Sequence, residues 1–346
     1  MAIPPESVRE AFLSQARACD ALGSPFMGSL MACAATNAWP EGRVTQRIFG
    51  WPGDIGPAAQ SVPLRFAGAL HALKLLGDAQ LRQVYPPARL SGDELWAAVS
   101  QVLLTEADSI ERWLDRSPQT NEVRRSATLI PAGAWLANRF SLPIRTSELG
   151  ASGGLNLHWD SYGLLAGVCR LGPSDPALIL TPEWRGEAPL LASPQVIARG
   201  GVDLSPLNPR TPEDALRLRA YLWPDQPKRM ALTEKAITAA KTPVEKGDAI
   251  DWLAGRLDHH PGTLHLIYST VAWQYFPAEK QREGRAIIEA SGARATEDSP
   301  LAWFSMEADG AGKGAALDLR LWPGDLQLSF GRADFHGRWV DWRMPS

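Results

Sequence analysis

The sequence predicts an α/β protein, with a mostly parallel sheet closed by an antiparallel hairpin and preceded by a helical amino-terminal domain. Three observations predict this. Residues 1–140 repeat apolar positions at helical spacing with almost no strand signal. Residues 141–346 alternate short β-rich runs with helical stripes. Near the carboxyl end Leu317, Leu319 and Leu321 alternate with polar residues, the chain turns at Pro323-Gly324-Asp325, and Leu326, Leu328 and Phe330 alternate back. A chain of 346 residues makes one large domain or two. The division is expected at 140, with an insertion at about 158–196 in the second part.

The amino-terminal elements follow from spacing and punctuation. Val8, Phe12, Ala16, Cys19 and Leu22 form one stripe that stops at Gly23-Ser24-Pro25. Leu64, Ala67, Leu70, Leu73 and Leu76 form another, ended by Gly77, and His71 within it reads as a packed residue. Ser91 and Glu94 form a capping box ahead of Leu95, Val99, Val102, Ile110 and Trp113. The Gly- and Pro-rich stretch Arg43 to Pro63 reads as a long loop. Gln119-Thr120-Asn121-Glu122 starts the last helix before the sheet, with Thr120 or Asn121 as its cap and a kink expected at Pro131.

In the second part a strand at 144–148 meets the loop Gly150-Ala151-Ser152-Gly153-Gly154 and then a helix-compatible Leu155-Asn156-Leu157. Residues 158–196, rich in Pro and Gly, read as an inserted hairpin or flap with one short strand at 178–180. A strand from Val196 ends in Asp203. Thr211-Pro212-Glu213-Asp214 starts a helical stretch that runs to about Ala240 and is interrupted at Trp223-Pro224. Strands at 244–246, 263–268 and 301–306, the last ending at Glu307, alternate with helices at 249–257 and 278–291; Trp339 to Trp342 adds a further strand.

Composition narrows the function classes. Net charge of −3 and the lack of any long Lys/Arg run argue against a nucleic-acid partner, and Arg124-Arg125 reads as a pair on a solvated helix face. Cys19, Cys33 and Cys169 lie far apart, as free thiols of a reducing compartment do. The first residues lack the apolar run of a signal peptide, and no stretch of about 18 apolar residues occurs. A soluble, cytoplasmic protein without a membrane partner is expected, its oligomeric state open. No Cys/His spacing marks a metal site, and none is expected.

The loop after the 144–148 strand carries the chemistry. Strand, glycine turn and helix start bring backbone N–H groups close to a ligand. A dinucleotide fingerprint needs Gly at 152 and 155, where Ser152 and Leu155 stand. G-x-S-x-G makes Ser152 a possible hydrolase nucleophile, with Asp248 and His336, or Asp203 and His265, in the required order. E-x-G-x-S-x-G, starting at Glu148, is a variant of the loop that wraps the methionine part of S-adenosylmethionine. A plain helix-cap turn is the bland alternative. Asp203, at the end of the next strand, stands where a ribose is gripped, although farther from the loop than the usual ~20 residues. Helix capping alone would also explain Asp203 and Asp248.

The stretches QTNEVRRSATLIP (119–131), ELGASGGLNL (148–157), RGGVDLSPLNP (199–209), LWPDQPKR (222–229), GDAIDWL (247–253) and STVAWQYFP (269–277) resemble a bacterial family catalogued as a domain of unknown function. That family looks like a Rossmann-like class I S-adenosylmethionine-dependent methyltransferase with a helical amino-terminal extension. The resemblance implies that Glu148, Gly150, Ser152, Gly154 and Asn156 line the methionine and sulfonium end. It implies Asp203 and Leu204 at the ribose, Asp248 and Ala249 at the adenine edge, and Ser269 and Thr270 facing the methyl. Glu122, Tyr275 and Glu307 are the candidates for proton removal or substrate orientation, and the expected acceptor is a small molecule. Two other readings stay open: a serine hydrolase using Ser152, and a non-catalytic, methyltransferase-like nucleoside-binding protein.

Overall fold

The first apolar stripe becomes α1 (Glu6–Ala21), with Val8, Phe12, Ala16 and Cys19 buried along it. The computed structural model describes residues 1–56, 59–88 and 91–345. After α1 come α2 (Pro25–Thr36), α3 (Arg43–Phe49), α4 (Val62–Leu76), α5 (Ala79–Val84), α6 (Gly92–Thr105) and α7 (Ala107–Leu114). Both hydrogen bonds of the capping box form at the start of α6, between Ser91 and Glu94. The helices close around Trp39, which is fully buried and meets Phe12, Phe49 and Trp96 edge-on at 5.9, 5.4 and 5.2 Å. His71 is buried with Nδ1 3.1 Å from the Ala220 carbonyl, and burial pulls its pKa down to about 4. It is a packed, uncharged residue.

One expectation fails in this region. The stretch 43–63 is not all loop, because Val44, Thr45 and Ile48 bury one side of a short helix, α3. Two turns suffice when their apolar side has a core to meet; the glycines and prolines follow only from Gly50 onward. Part of that loop, 57–58, lies outside the described residues.

Two compact units divide the chain: Met1–Thr120 with Pro212–Ala231, and Asn121–Thr211 with Leu232–Ser346. The division thus falls before 140. The helix α8 (Ser126–Phe140) belongs to the second unit and α9 (Pro212–Ala220) to the first. α8 continues through Pro131. A Cβ at Gly133 would collide with the Trp159 ring, so this glycine lets α8 lie directly on the segment that follows the Gly-rich loop.

The second unit is built on a nine-stranded sheet. Its strands in chain order are β1 (Ile144–Leu149), β5 (Glu183–Gly186), β6 (Val196–Asp203), β7 (Glu245–Lys246), β8 (Leu264–Thr270), β9 (Leu301–Glu307), β10 (Ala315–Trp322), β11 (Leu326–Ala333) and β12 (Trp339–Trp342). The spatial order is β5-β12-β11-β10-β9-β8-β1-β6-β7. From β9 to β7 all neighbours are parallel, whereas β9 to β12 run antiparallel. Every residue of β8 is buried, as a central parallel strand covered on both faces requires. One face carries Leu149, Val202, Ile267, Leu301 and Trp303 against α11 (Ala249–Ala254) and α12 (Ala278–Gly292). α10 (Pro227–Ala239) precedes β7.

The inserted segment differs from a simple flap. β2 (Gly163–Ala166), β3 (Cys169–Leu171) and β4 (Ile179–Leu180) make a separate three-stranded sheet. β5 then pairs in parallel with β12 and extends the large sheet by one strand. No local pattern announces this, because its partner lies more than a hundred residues away. Among the described residues no helix is long and apolar enough to cross a membrane.

Candidate functional site

From β1 the chain moves to β6 and β7 on one side, then returns to β8 and β9 on the other. The carboxyl ends of β1 and β8 therefore flank a topological switch point, where open α/β sheets form a ligand crevice. The loop after β1 is bent by three left-handed residues, Gly150 (φ 74°), Ser152 (φ 53°) and Gly154 (φ 69°). At Gly150 a Cβ would stand 2.5 Å from the Ala272 Cβ on the loop after β8, so only glycine lets the two loops approach. Ser152 takes the same backbone region with a side chain, a conformation costing about 1–2 kcal/mol.

The loop's N–H groups are mostly committed to protein acceptors. Gly150 and Ala151 donate to the Val202 carbonyl, Gly154 to the Ala151 carbonyl, and Ser152 to Asp203 Oδ2 at 2.9 Å. The N–H of Leu155 goes to Asn121 Oδ1 at 2.9 Å. Asn121 thus caps the exit of the glycine loop and not the helix of its own segment. The Ser152 hydroxyl is buried and has no hydrogen-bond partner. A buried donor left unmet costs about 1–3 kcal/mol, which marks a place for a ligand group or water. No imidazole reaches it, as a nucleophilic serine would need. His265 instead lies 2.9 Å from Ser147.

The segment 121–126 spans both sides of the switch point. Glu122, fully buried, takes the Arg124 fork in two hydrogen bonds of 3.0 and 3.1 Å. Asn156 Nδ2 donates to the Glu122 carbonyl, and the Ser126 hydroxyl donates to Asn156 Oδ1 at 2.7 Å. On the other side Arg125 Nη1 donates to the Thr270 carbonyl at 2.7 Å, and its Nε to the Phe335 carbonyl. The reading of Arg124-Arg125 as a solvated pair is therefore corrected. Their partners are a buried carboxylate and two distant carbonyls, which local sequence does not reveal.

Beneath the loop, Glu148 is buried against Tyr268, whose hydroxyl lies 3.4 Å from Glu148 Oε2 and 3.1 Å from the Asn156 carbonyl. Burial lifts the Glu148 pKa well above the carboxylate range; the Tyr268 hydrogen bond and the Arg125 charge oppose it only in part. Burial thus works against ionisation of this carboxyl under the turn.

After β8 the chain turns at Val271, a β-branched residue at φ 54°. Glu307 fixes this turn. Its carboxylate accepts the Ala272, Trp273 and Gln274 N–H groups at 3.0 to 3.4 Å. Burial raises its pKa and these donors oppose the rise. Ser269 and Thr270 are buried at the end of β8, whereas Tyr275 is 72% exposed. Of the three proton-transfer candidates, Glu122 and Glu307 are engaged in holding backbone, and Tyr275 faces solvent.

The remaining expected residues line the same sheet edge. Asp203 accepts from Ser152 and Ser205, and Leu204 beside it is 70% exposed. Asp248 caps α11, ahead of Ala249, through the Ile250 and Asp251 N–H groups. Burial pushes its pKa up, but those donors and Lys280 outweigh it and leave Asp248 below the ordinary value.

A polar row runs from this edge into a cleft. Ser269, Ser305, Asp318 and Ser329 are direct neighbours across β8, β9, β10 and β11. With strands about 4.8 Å apart, Asp318 lies about 10 Å from Ser269. The cleft, of about 580 Å³, is lined by Trp273, Trp303, Arg285, Glu307 and Asp318 among others. Asp318 is exposed to solvent on this wall, and partial desolvation by the cleft raises its pKa against a hydrogen bond from Ser329. Sequence reading missed Asp318 because it looks like any outward residue of a hairpin strand.

A comparison with curated proteins returns no match. The profile of the family described as "Uncharacterized protein conserved in bacteria (DUF2332)" matches residues 9–342, and the chain belongs to that family.

Proposed function

We propose that this chain binds S-adenosylmethionine at the switch point between β1 and β8 and transfers its methyl group to a small-molecule acceptor. The observation that carries the reading is the tie between Asp203 and the loop. The acid closing the strand beside β1 is held to the glycine turn through the Ser152 N–H at 2.9 Å. Doubly wound sheets use an acid in that relation to grip ribose hydroxyls. The parallel order β7-β6-β1-β8-β9, with antiparallel strands beyond it, supports a class I methyltransferase sheet.

The residues suit the cofactor at one diagnostic atom: the orphaned Ser152 hydroxyl offers a donor to the methionine carboxylate. Glu148, Gly150, Ser152, Gly154 and Asn156 would hold the methionine end, Asp203 and Leu204 the ribose, Asp248 and Ala249 the adenine edge, and Ser269 and Thr270 the methyl end. When bound, the cofactor supplies an electrophilic methyl carbon. The protein orients the cofactor and excludes water, the loop lying over the buried Glu148 and Tyr268. The 580 Å³ cleft has the volume of a small-molecule site. Asp318, on the wall of that cleft, would take up the acceptor's proton.

Calorimetry with S-adenosylmethionine and S-adenosylhomocysteine tests this. Binding on the order of micromolar is expected, weakened about tenfold or more in Asp203→Ala. Asp318→Asn is expected to retain cofactor affinity while lowering kcat. Absence of heat with both compounds, or an Asp203→Ala variant binding like the parent, overturns the reading. Binding without turnover would favour the nucleoside-binding alternative, to which the engagement of Glu122 and Glu307 lends weight.

A further inference from the structure

We propose that the opposite end of the same strands carries a seat for a phosphate-type oxyanion, formed by the Arg145 and Arg256 guanidinium groups and the His265 imidazole. Arg145 and His265 are direct neighbours across β1 and β8, and Ser147 lies on the same face two residues after Arg145. Arg256, just beyond α11, reaches across this face. Its Nε is 3.4 Å from Ser147 Oγ, and its Nη2 would lie 2.6 Å from a Cβ at Gly200, the β6 neighbour of Ser147. Glycine at 200 leaves room for the guanidinium to lie on the sheet.

The hydrogen bonds on this face leave donor capacity unmet. Arg256 Nε donates to Ser147 Oγ at 3.4 Å, and the same hydroxyl lies 2.9 Å from His265 Nε2, giving or taking a hydrogen according to the ring's tautomer. Burial, with Arg145 and Arg256 beside it, holds the His265 pKa near 3, consistent with an uncharged ring. The two guanidinium groups beside it can only donate. Arg145 Nη1 is buried without a partner. Asp258 offsets the Arg145 charge in part, yet among the described residues neither arginine has a carboxylate at ion-pair distance. Stacking on the Trp252 ring, 4.5 Å away, accounts for where Arg256 lies but not for the unmet Arg145 donor. Two forked guanidinium groups match the oxygens of a phosphate, free or on a small ester.

The seat is independent of the Gly-loop reading, being at the other end of the strands. Its test is calorimetry of the full chain with inorganic phosphate and with glycerol 3-phosphate, at ionic strength held constant with chloride. Saturable binding is expected, weakened about tenfold or more in Arg145→Gln and in Arg256→Gln. Equal affinities would make the free anion the occupant, and tighter ester binding would make it an organic phosphate; both support the seat. Absence of saturation, or binding unchanged in both variants, overturns it. In phosphate-free buffer each variant should melt no lower than the parent, because one of two crowded like charges is removed. A clear fall in Tm there would make the arginines structural and overturn the seat as well.

Discussion

The turns after β1 and after β8 face one another across the switch point, yet they are made by different means. The first is written into its own residues: Gly150 and Gly154 take left-handed backbone at low cost, and Gly150 admits Ala272. The second has no glycine. Val271 is forced to φ 54°, and Glu307, at the end of the next strand, holds the following three N–H groups. The first bend thus draws on its own glycines, with only Ser152 strained and held to Asp203, whereas the second rests on a long-range clamp alone. The clamped turn is the one whose removal should cost more.

The largest expected effect is at the clamp. Glu307→Ala leaves three backbone donors without their acceptor and should lower stability by about 3 kcal/mol, read by urea unfolding. A loss below about 1 kcal/mol would mean that water replaces the carboxylate and that the clamp is weak. Next comes an exchange of opposite sign. Gly150→Ala meets both positive φ and the Ala272 contact and should cost about 2 kcal/mol, whereas Val271→Gly relieves strain and should stabilise by about 1 kcal/mol. If both variants shifted Tm in the same direction, the contrast between the two turns would be lost.

The smallest effect is a pH dependence beneath the first turn. Burial raises the folded-state pKa of Glu148 above its unfolded value. The folded state therefore holds the proton longer, so the associated stability is present below about pH 4 and is lost as pH rises toward the folded value. Glu148→Gln keeps the neutral form at every pH. Its Tm should gain on the parent between pH 5 and pH 8, and parallel curves would show that the carboxyl is already ionised.

How much could be read in advance follows the same division. The α1 stripe, the Ser91–Glu94 box, the hairpin at Pro323-Gly324-Asp325 and the bend at Gly150–Gly154 rest on neighbours within a few residues, and they stand where spacing put them. Missed were α3, whose short apolar side needed a core, and β5, whose partner is β12. Asn121, Arg124 and Arg125 looked like a cap and a solvated pair, but their hydrogen bonds run to Leu155, Glu122 and Thr270. Glu148 and Asp203 were anticipated at strand ends from the sequence, and Ser269 from the family resemblance. Asp318 was not, because its place depends on which strand lies beside β9.

Sequence alone therefore determined the helical stripes, the alternation of strands and helices, and the glycine turn, since periodicity and φ preference act within a few residues. Tertiary structure decided which polar groups meet: that Glu122 clasps Arg124, that Glu307 secures a strained valine, and that Arg145 and Arg256 share one face of the sheet. Burial and charge pairing depend on distance in space, and residues far apart in the chain become neighbours only when the sheet is assembled.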